Sequence, residues 1–228
     1  MDFPAPAFSS RRSRRGGFLA DAITALPEYY LPRAEAAIFA AYAEPMAALQ
    51  PVGSTLVDLG AGSCAKAARL LAVFRPARYV AVDISTYFLR EWMVALPRRY
   101  PGLDMVGVGM DFSSSFALPP ELGDAPDCPP VMFYPGSSIG NFTPAEALRF
   151  LGQLRAASHG GGLLIGVGLV KPIAILEAAY DDPMGVTAAF NRNLLRHINR
   201  LAETDFLLGR LAPRRLFQRS GFAHRDAP

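Results

Sequence analysis

The chain has 228 residues, 51% of them apolar and 19% charged, with mean hydropathy +0.18, which supplies the core of one ordinary domain and excludes global disorder. Twenty glycines and twenty prolines follow no period, so collagen-like and solenoid architectures are excluded. The net charge of +3 comes from two arginine groups, Arg11, Arg12, Arg14 and Arg15 near the start and Arg210, Arg214, Arg215, Arg219 and Arg225 near the end; without interleaved aromatics these read as solvated tails, not a nucleic-acid surface.

The longest apolar stretch, Gly161 to Val170, falls short of the roughly 20 residues that span a bilayer. The arginine-rich start carries no apolar signal segment. Cys64 and Cys128 stand far apart, with no CxxC pair and no histidine beside them, so neither a disulfide framework nor a metal site is expected. These features predict a cytoplasmic protein without a membrane or nucleic-acid partner.

Residues 1–17 read as a flexible basic opening. Apolar residues at three- and four-residue spacing predict helices over Phe18–Leu26 and Arg33–Leu49, separated by Pro27 and the pair Tyr29 and Tyr30. Short β-rich runs follow at Thr55–Leu59, Tyr79–Val82, Met105–Val108, Val131–Tyr134 and Leu163–Val167, with helical stretches between most of them. That alternation predicts an α/β fold with a doubly wound, mainly parallel sheet. Thr143-Pro144-Ala145-Glu146 reads as a capping box with proline at the first helical position. Asp181-Asp182-Pro183 predicts a cap for a helix from about Met184 to Leu201. The domain is expected over residues 18–203, followed by an arginine-rich segment, 204–228, with no strand.

The chemistry gathers at strand ends. The first strand runs into Asp58-Leu59-Gly60-Ala61-Gly62-Ser63, a glycine turn where backbone approaches a ligand. The third glycine of a dinucleotide fingerprint is missing, which argues against a nicotinamide-dependent oxidoreductase. The second strand ends in Asp83, 23 residues after Gly60, where a carboxylate accepts from ribose hydroxyls. The third ends in Asp111 and Phe112, an acid for an exocyclic amine and an aromatic face for a base. Three strand ends aimed at one nucleoside form the pattern of S-adenosylmethionine enzymes.

Here the residues resemble a family, the histidine Nα-methyltransferases of ergothioneine biosynthesis. The likeness is carried by Leu26-Pro27-Glu28-Tyr29-Tyr30 with Arg33 and Glu35, by Asp58 to Ser63, by Phe133 to Phe142, by Leu169-Val170-Lys171, and by Ala179 to Leu194; it runs from about Arg15 to Phe206. The resemblance implies a class I methyltransferase of Rossmann-like type with N-terminal helices, using S-adenosylmethionine as cofactor and histidine as small-molecule substrate. It further implies that Gly60, Lys66, Asp83, Asp111 and Phe112 contact the cofactor, while Tyr29, Asn141 and Tyr180 hold the substrate's amino and carboxylate groups.

Lys66 and Lys171 are the only lysines, and Lys66 is expected to reach the cofactor's carboxylate as a point charge. Methyl transfer needs a deprotonated amine, for which Tyr29, Tyr180 or a bound water are candidate acceptors. His159, before the fifth strand, falls at the opposite end of the sheet, and Asp181 and Asp182 read as a helix cap. No catalytic base or metal ligand is assigned.

The family pattern also implies later strands and a glutamate and serine that hold the imidazole ring. The segment Phe206 to Pro228 does not read as that continuation; it suits an altered frame or a truncated paralogue with an incomplete C-terminal part. Arg12 falls where the family has an aromatic residue, and Gly168 where relatives have an aspartate. An unpaired fifth strand predicts self-association through its edge. Other readings are methyl transfer to another amino acid or amine, and a catalytically silent cofactor-binding fragment.

Overall fold

In the computed structural model, which describes residues 14–113, 115–123 and 128–207, the β-rich runs form β1 (Thr55–Leu59), β2 (Arg78–Asp83), β3 (Asp104–Gly109), β4 (Pro130–Tyr134) and β5 (Gly162–Ile165). They lie side by side in the order β3-β2-β1-β4-β5, and every neighbouring pair is parallel. β1 and β4 are buried along their whole length, whereas the outermost strands β3 and β5 are partly exposed. This is why β4 reads as an unbroken apolar run and β1 as an apolar run interrupted only by Thr55 and Asp58, both buried: a parallel strand covered on both faces has no solvent side.

The remaining elements are α1 (Arg14–Ala25), α2 (Leu31–Ala48), α3 (Ala65–Ala68), α4 (Leu71–Phe74), α5 (Thr86–Arg99), α6 (Pro120–Gly123), a 3-10 turn (Ser138–Asn141), α7 (Pro144–Ala157), α8 (Ile173–Tyr180) and α9 (Val186–Leu201). Alternate residues of each strand point to opposite faces. Leu56, Tyr79, Ala81, Val131 and Phe133 meet Phe39 of α2, Ala67 of α3, Phe74 of α4 and Leu89 of α5. Val57, Val80, Val82, Met132 and Tyr134 meet Phe116, Leu122 of α6, and Phe150 and Leu154 of α7. Helices therefore cover both faces, and the fold is the doubly wound α/β architecture the sequence predicts. Among the described residues no helix is long and apolar enough to cross a membrane.

Several boundaries differ from the sequence reading. Helix α1 already includes Arg14 to Gly17, part of the stretch expected to be flexible, because it packs against α9, a partner that periodicity along residues 14–25 does not reveal. Arg11, Arg12 and the rest of residues 1–13 lie outside the described residues, as does the arginine-rich segment from 208 onward. Strand β5 stops at Ile165, not Val167: Gly166 donates to the Tyr134 carbonyl at 3.0 Å and its own carbonyl accepts from Ser137, after which Gly168 donates to Ser137 Oγ at 2.8 Å. Helix α9 begins at Val186 behind Gly185, with φ +72°, so Pro183 precedes it instead of opening it. Asp182 nevertheless caps it, accepting from the N–H groups of Val186 and Thr187, both at 2.8 Å. Burial pushes the Asp182 carboxyl up, but these bonds outweigh it and hold it below the usual range.

The capping box forms as the sequence predicts: Thr143 Oγ1 accepts from the Glu146 N–H at 3.3 Å, and the Glu146 carboxylate accepts from the Thr143 N–H at 2.8 Å. Thr143→Ala is expected to cost about 1 kcal/mol, read as a lowered urea midpoint with unchanged slope. Gly161→Ala should be far worse, because an added Cβ would stand 1.9 Å from the Pro130 carbonyl oxygen. That variant is expected to lose cooperative unfolding, since β5 cannot enter beside β4 without moving backbone.

Candidate functional site

The chain leaves β1 for β2 on one side and returns to β4 on the other, so β1 and β4 are neighbours with oppositely directed connections. Such a switch point opens a crevice at the carboxyl ends of the strands. On its β1 side, Gly60 adopts φ +76°, a conformation that suits glycine. The N–H groups of Gly60 and Ala61 both donate to the Val82 carbonyl, at 2.8 and 3.1 Å, which binds the turn to β2. The Asp83 carboxylate returns the tie, one oxygen accepting from the Gly62 N–H at 2.9 Å and the other from the Ser85 N–H at 2.8 Å. Each oxygen retains a lone pair for a further donor.

Phe112 lies across this turn. A Cβ on Gly60 would come within 3.6 Å of its ring, so the ring faces bare backbone at the turn. Phe112 is held in an aromatic group with Tyr134, at 6.1 Å between centroids, and Phe150, at 5.9 Å. Asp111 is exposed at the same edge, and one of its oxygens accepts from the Ser113 N–H and hydroxyl at 3.1 and 2.6 Å.

Lys66 does not stand as a free point charge. Its ammonium pairs with Glu35 of α2 at 2.7 Å, and the other Glu35 oxygen accepts from the Gly136 N–H at 2.5 Å. The sequence gives no separate signal for this pairing, because it depends on where α2 docks. A lone acid in the otherwise apolar run Ala34 to Ala41 was the available clue.

Beneath the turn, Asp58 is buried and accepts from the Tyr79 hydroxyl at 2.8 Å. Burial raises its carboxyl to about 7, against the lowering influence of the Tyr79 bond and Lys66. The buried Cys64 thiol is pushed to about 12, chiefly by burial. Sequence reading treats Asp58 only as part of the glycine motif; its place inside the apolar run Thr55 to Leu59 is the sign of its burial.

Tyr29 and Tyr180, 151 positions apart in the chain, meet edge to face at 5.8 Å and 76°. Arg33 shapes the turn bearing Tyr29 by donating to the carbonyls of Leu26, at 2.8 Å, and Pro27. Lys171 lies 5.2 Å from the centre of the Tyr30 ring and donates to the Leu169 carbonyl. Burial and the Tyr180 neighbour raise the Tyr29 phenol to about 12, and burial followed by Tyr30 raises that of Tyr180. Phenols raised in this way carry their protons at neutral pH. Asn141 is exposed at the end of the 3-10 turn after β4, on the loop that Glu35 grips through Gly136. His159 sits in the turn before β5, at the sheet's other end.

A family profile described as histidine-specific, SAM-dependent methyltransferase matches residues 13–225, running past Phe206 into the arginine-rich segment. The chain is similar to a histidine N-alpha-methyltransferase of Mycolicibacterium smegmatis, 39% identical over 196 residues, covering 84% of this chain and 59% of that protein. It is also similar to ergothioneine biosynthesis protein 1 of Neurospora crassa, 32% identical over 205 residues, covering 86% of this chain and 23% of that protein. The chain thus spans about three-fifths of the first of these relatives. Among solved structures it resembles a SAM-dependent methyltransferase-like protein of Methanococcus maripaludis with TM-score 0.47 and 18% identity, covering 86% of this chain and 87% of the other.

The buried carboxyl beneath the turn gives stability a defined pH dependence. Asp58 has a folded value near 7 against an ordinary 3.8, so the folded chain keeps a proton that the unfolded chain releases. Its stabilising contribution is complete below about pH 4, drains as pH rises toward about 7 and is absent above. The lowered carboxyls of Asp182 and Glu146 act in the opposite sense at more acid pH. Asp58→Asn, which still accepts from Tyr79 but cannot ionise, is expected to flatten the urea midpoint between about pH 4 and 7; parallel curves for variant and parent would disprove the assignment.

Proposed function

The chain belongs to the histidine-specific, S-adenosylmethionine-dependent methyltransferase family, and from that premise we propose that it methylates the α-amino nitrogen of histidine, toward the trimethylated betaine of ergothioneine biosynthesis, in the cytoplasm. The observation that carries this reading is the junction of the Gly60 turn, Asp83 and Phe112 at one sheet edge, with bare glycine backbone facing the Phe112 ring. A nucleoside suits that donor set: an acid with unused lone pairs for ribose hydroxyls, an aromatic face for the base and glycine backbone for close approach.

S-adenosylmethionine, when bound, supplies an electrophilic methyl group on a sulfonium. In the proposed arrangement Asp83 takes the ribose, Asp111 and Phe112 the base, Gly60 the close backbone contact and Lys66 the carboxylate. Tyr29, Tyr180 and Asn141 hold the acceptor's amino and carboxylate groups. With a phenol raised to about 12, about one Tyr29 in a hundred thousand is ionised at neutral pH, so in this reading the tyrosines orient the amine by hydrogen bonding and its proton passes to water. The protein's contribution is alignment at near-attack distance and exclusion of solvent.

Incubation of the chain with S-adenosylmethionine and a panel of amino acids, followed by mass spectrometry, is expected to yield methylated histidine ahead of every other product. Asp83→Ala should weaken S-adenosylhomocysteine binding about ten- to hundred-fold by calorimetry. Binding without methylation of any amino acid would replace this reading with that of a silent cofactor-binding chain.

The outer edge of β5, which pairs with β4 alone among the described residues, and Leu163, 43% exposed, support self-association of copies through this strand. Light scattering is expected to show species larger than a monomer; a monodisperse monomer would count against it.

A further inference from the structure

We propose that Glu35 is a positioning residue: it holds the Lys66 ammonium at the switch point so that the ammonium's free donors face the carboxylate end of the methyl donor. This rests on the reading of the sheet edge as a methyl-donor site. The pair is one-sided, with the Glu35 side chain only 14% exposed and that of Lys66 45% exposed. The acid is enclosed, and the ammonium is open. One of three ammonium donors is spent on Glu35, leaving the others for an incoming anion.

Glu35 is itself fixed. Its second oxygen accepts from the Gly136 N–H, so the carboxylate is held between the loop after β4 and the helix after the glycine turn. Two glycines bring bare backbone up to the pair on its protein side. A Cβ on Gly136 would lie 2.6 Å from Lys66 Nζ, and one on Gly166 would lie 2.7 Å from Glu35 Oε1. Three segments distant in sequence, α2, the loop after β4 and the end of β5, thus converge to place one ammonium.

Two rival roles make opposite predictions. If Glu35 acted on the ligand by charge alone, neutralising it would remove a repulsive neighbour and tighten binding of an anionic tail. If it merely tied α2 to the sheet, its loss would weaken all ligands alike. Positioning predicts selective loss of the tail's contribution.

The test compares, by calorimetry, S-adenosylhomocysteine with 5′-methylthioadenosine, which keeps the nucleoside and thioether but lacks the amino-acid end. Glu35→Gln is expected to lower the ratio of the two affinities about ten-fold, with 5′-methylthioadenosine binding unchanged. Lys66→Met should give the same loss, and the double variant little more, because the residues act as one unit. Gly166→Ala alters no charge; its methyl would stand 2.7 Å from Glu35 Oε1 and also press on Gly136 N and Pro135 Cα at 3.1 and 3.3 Å, so it serves as the second variant where 5′-methylthioadenosine binding stays unchanged, and it should then reproduce the effect. An unchanged or increased ratio, or equal losses for both ligands, overturns the proposal. Absence of binding of both ligands to the parent overturns the donor-site reading along with it, whereas tight binding that is insensitive to these variants overturns only the role of Glu35.

Discussion

Everything at the ligand edge depends on the parallel register that delivers Leu59, Asp83, Gly109 and Tyr134 to one side of the sheet. β1 pairs with β2 from Thr55 opposite Arg78 to Leu59 opposite Val82, and the next residues keep that pairing alive: Gly60 and Ala61 donate to Val82, and Asp83 accepts from Gly62. The turn is therefore an extension of the strand ladder. A carboxylate placed by a ladder loses little entropy when it meets a ligand, since its orientation was fixed when the sheet formed.

The core strands and the capping box were legible in sequence because their determinants are local. Val131 to Tyr134 is apolar throughout since both its faces are covered, and Thr143 and Glu146 satisfy each other within one turn. Asp83 was legible too, since the distance from the glycine turn to the next strand end is set by one β-α-β unit. What escaped was decided by distant partners. The helical state of residues 14–17 depends on α9, and β5 ends early because Gly166 turns onto the loop at Ser137.

The site divides along the same line. Gly60, Asp83 and Phe112 come together as strand-end logic demands, whereas the state of each charged or phenolic group is tertiary information. Lys66 is read in sequence as an isolated cation but is paired with an acid 31 positions earlier, and Asp58 is read as part of a turn but is buried against Tyr79. Tyr29 and Tyr180 are paired in sequence only by family likeness; that their rings meet, and that burial raises both phenols, is visible only in the fold. Identity was visible in one dimension, ionisation in three.

Gly136 and Gly166 press bare backbone against the Glu35–Lys66 pair, and this has a bearing on how the site tolerates sequence drift. An alanine scan that strips functional groups would report on Glu35 and Lys66 and pass over both glycines as already minimal. Yet one added methyl at either position displaces a charged group that no polar substitution has touched. Part of the edge's constraint thus sits at residues with nothing to remove, and libraries built by truncation would pass over it.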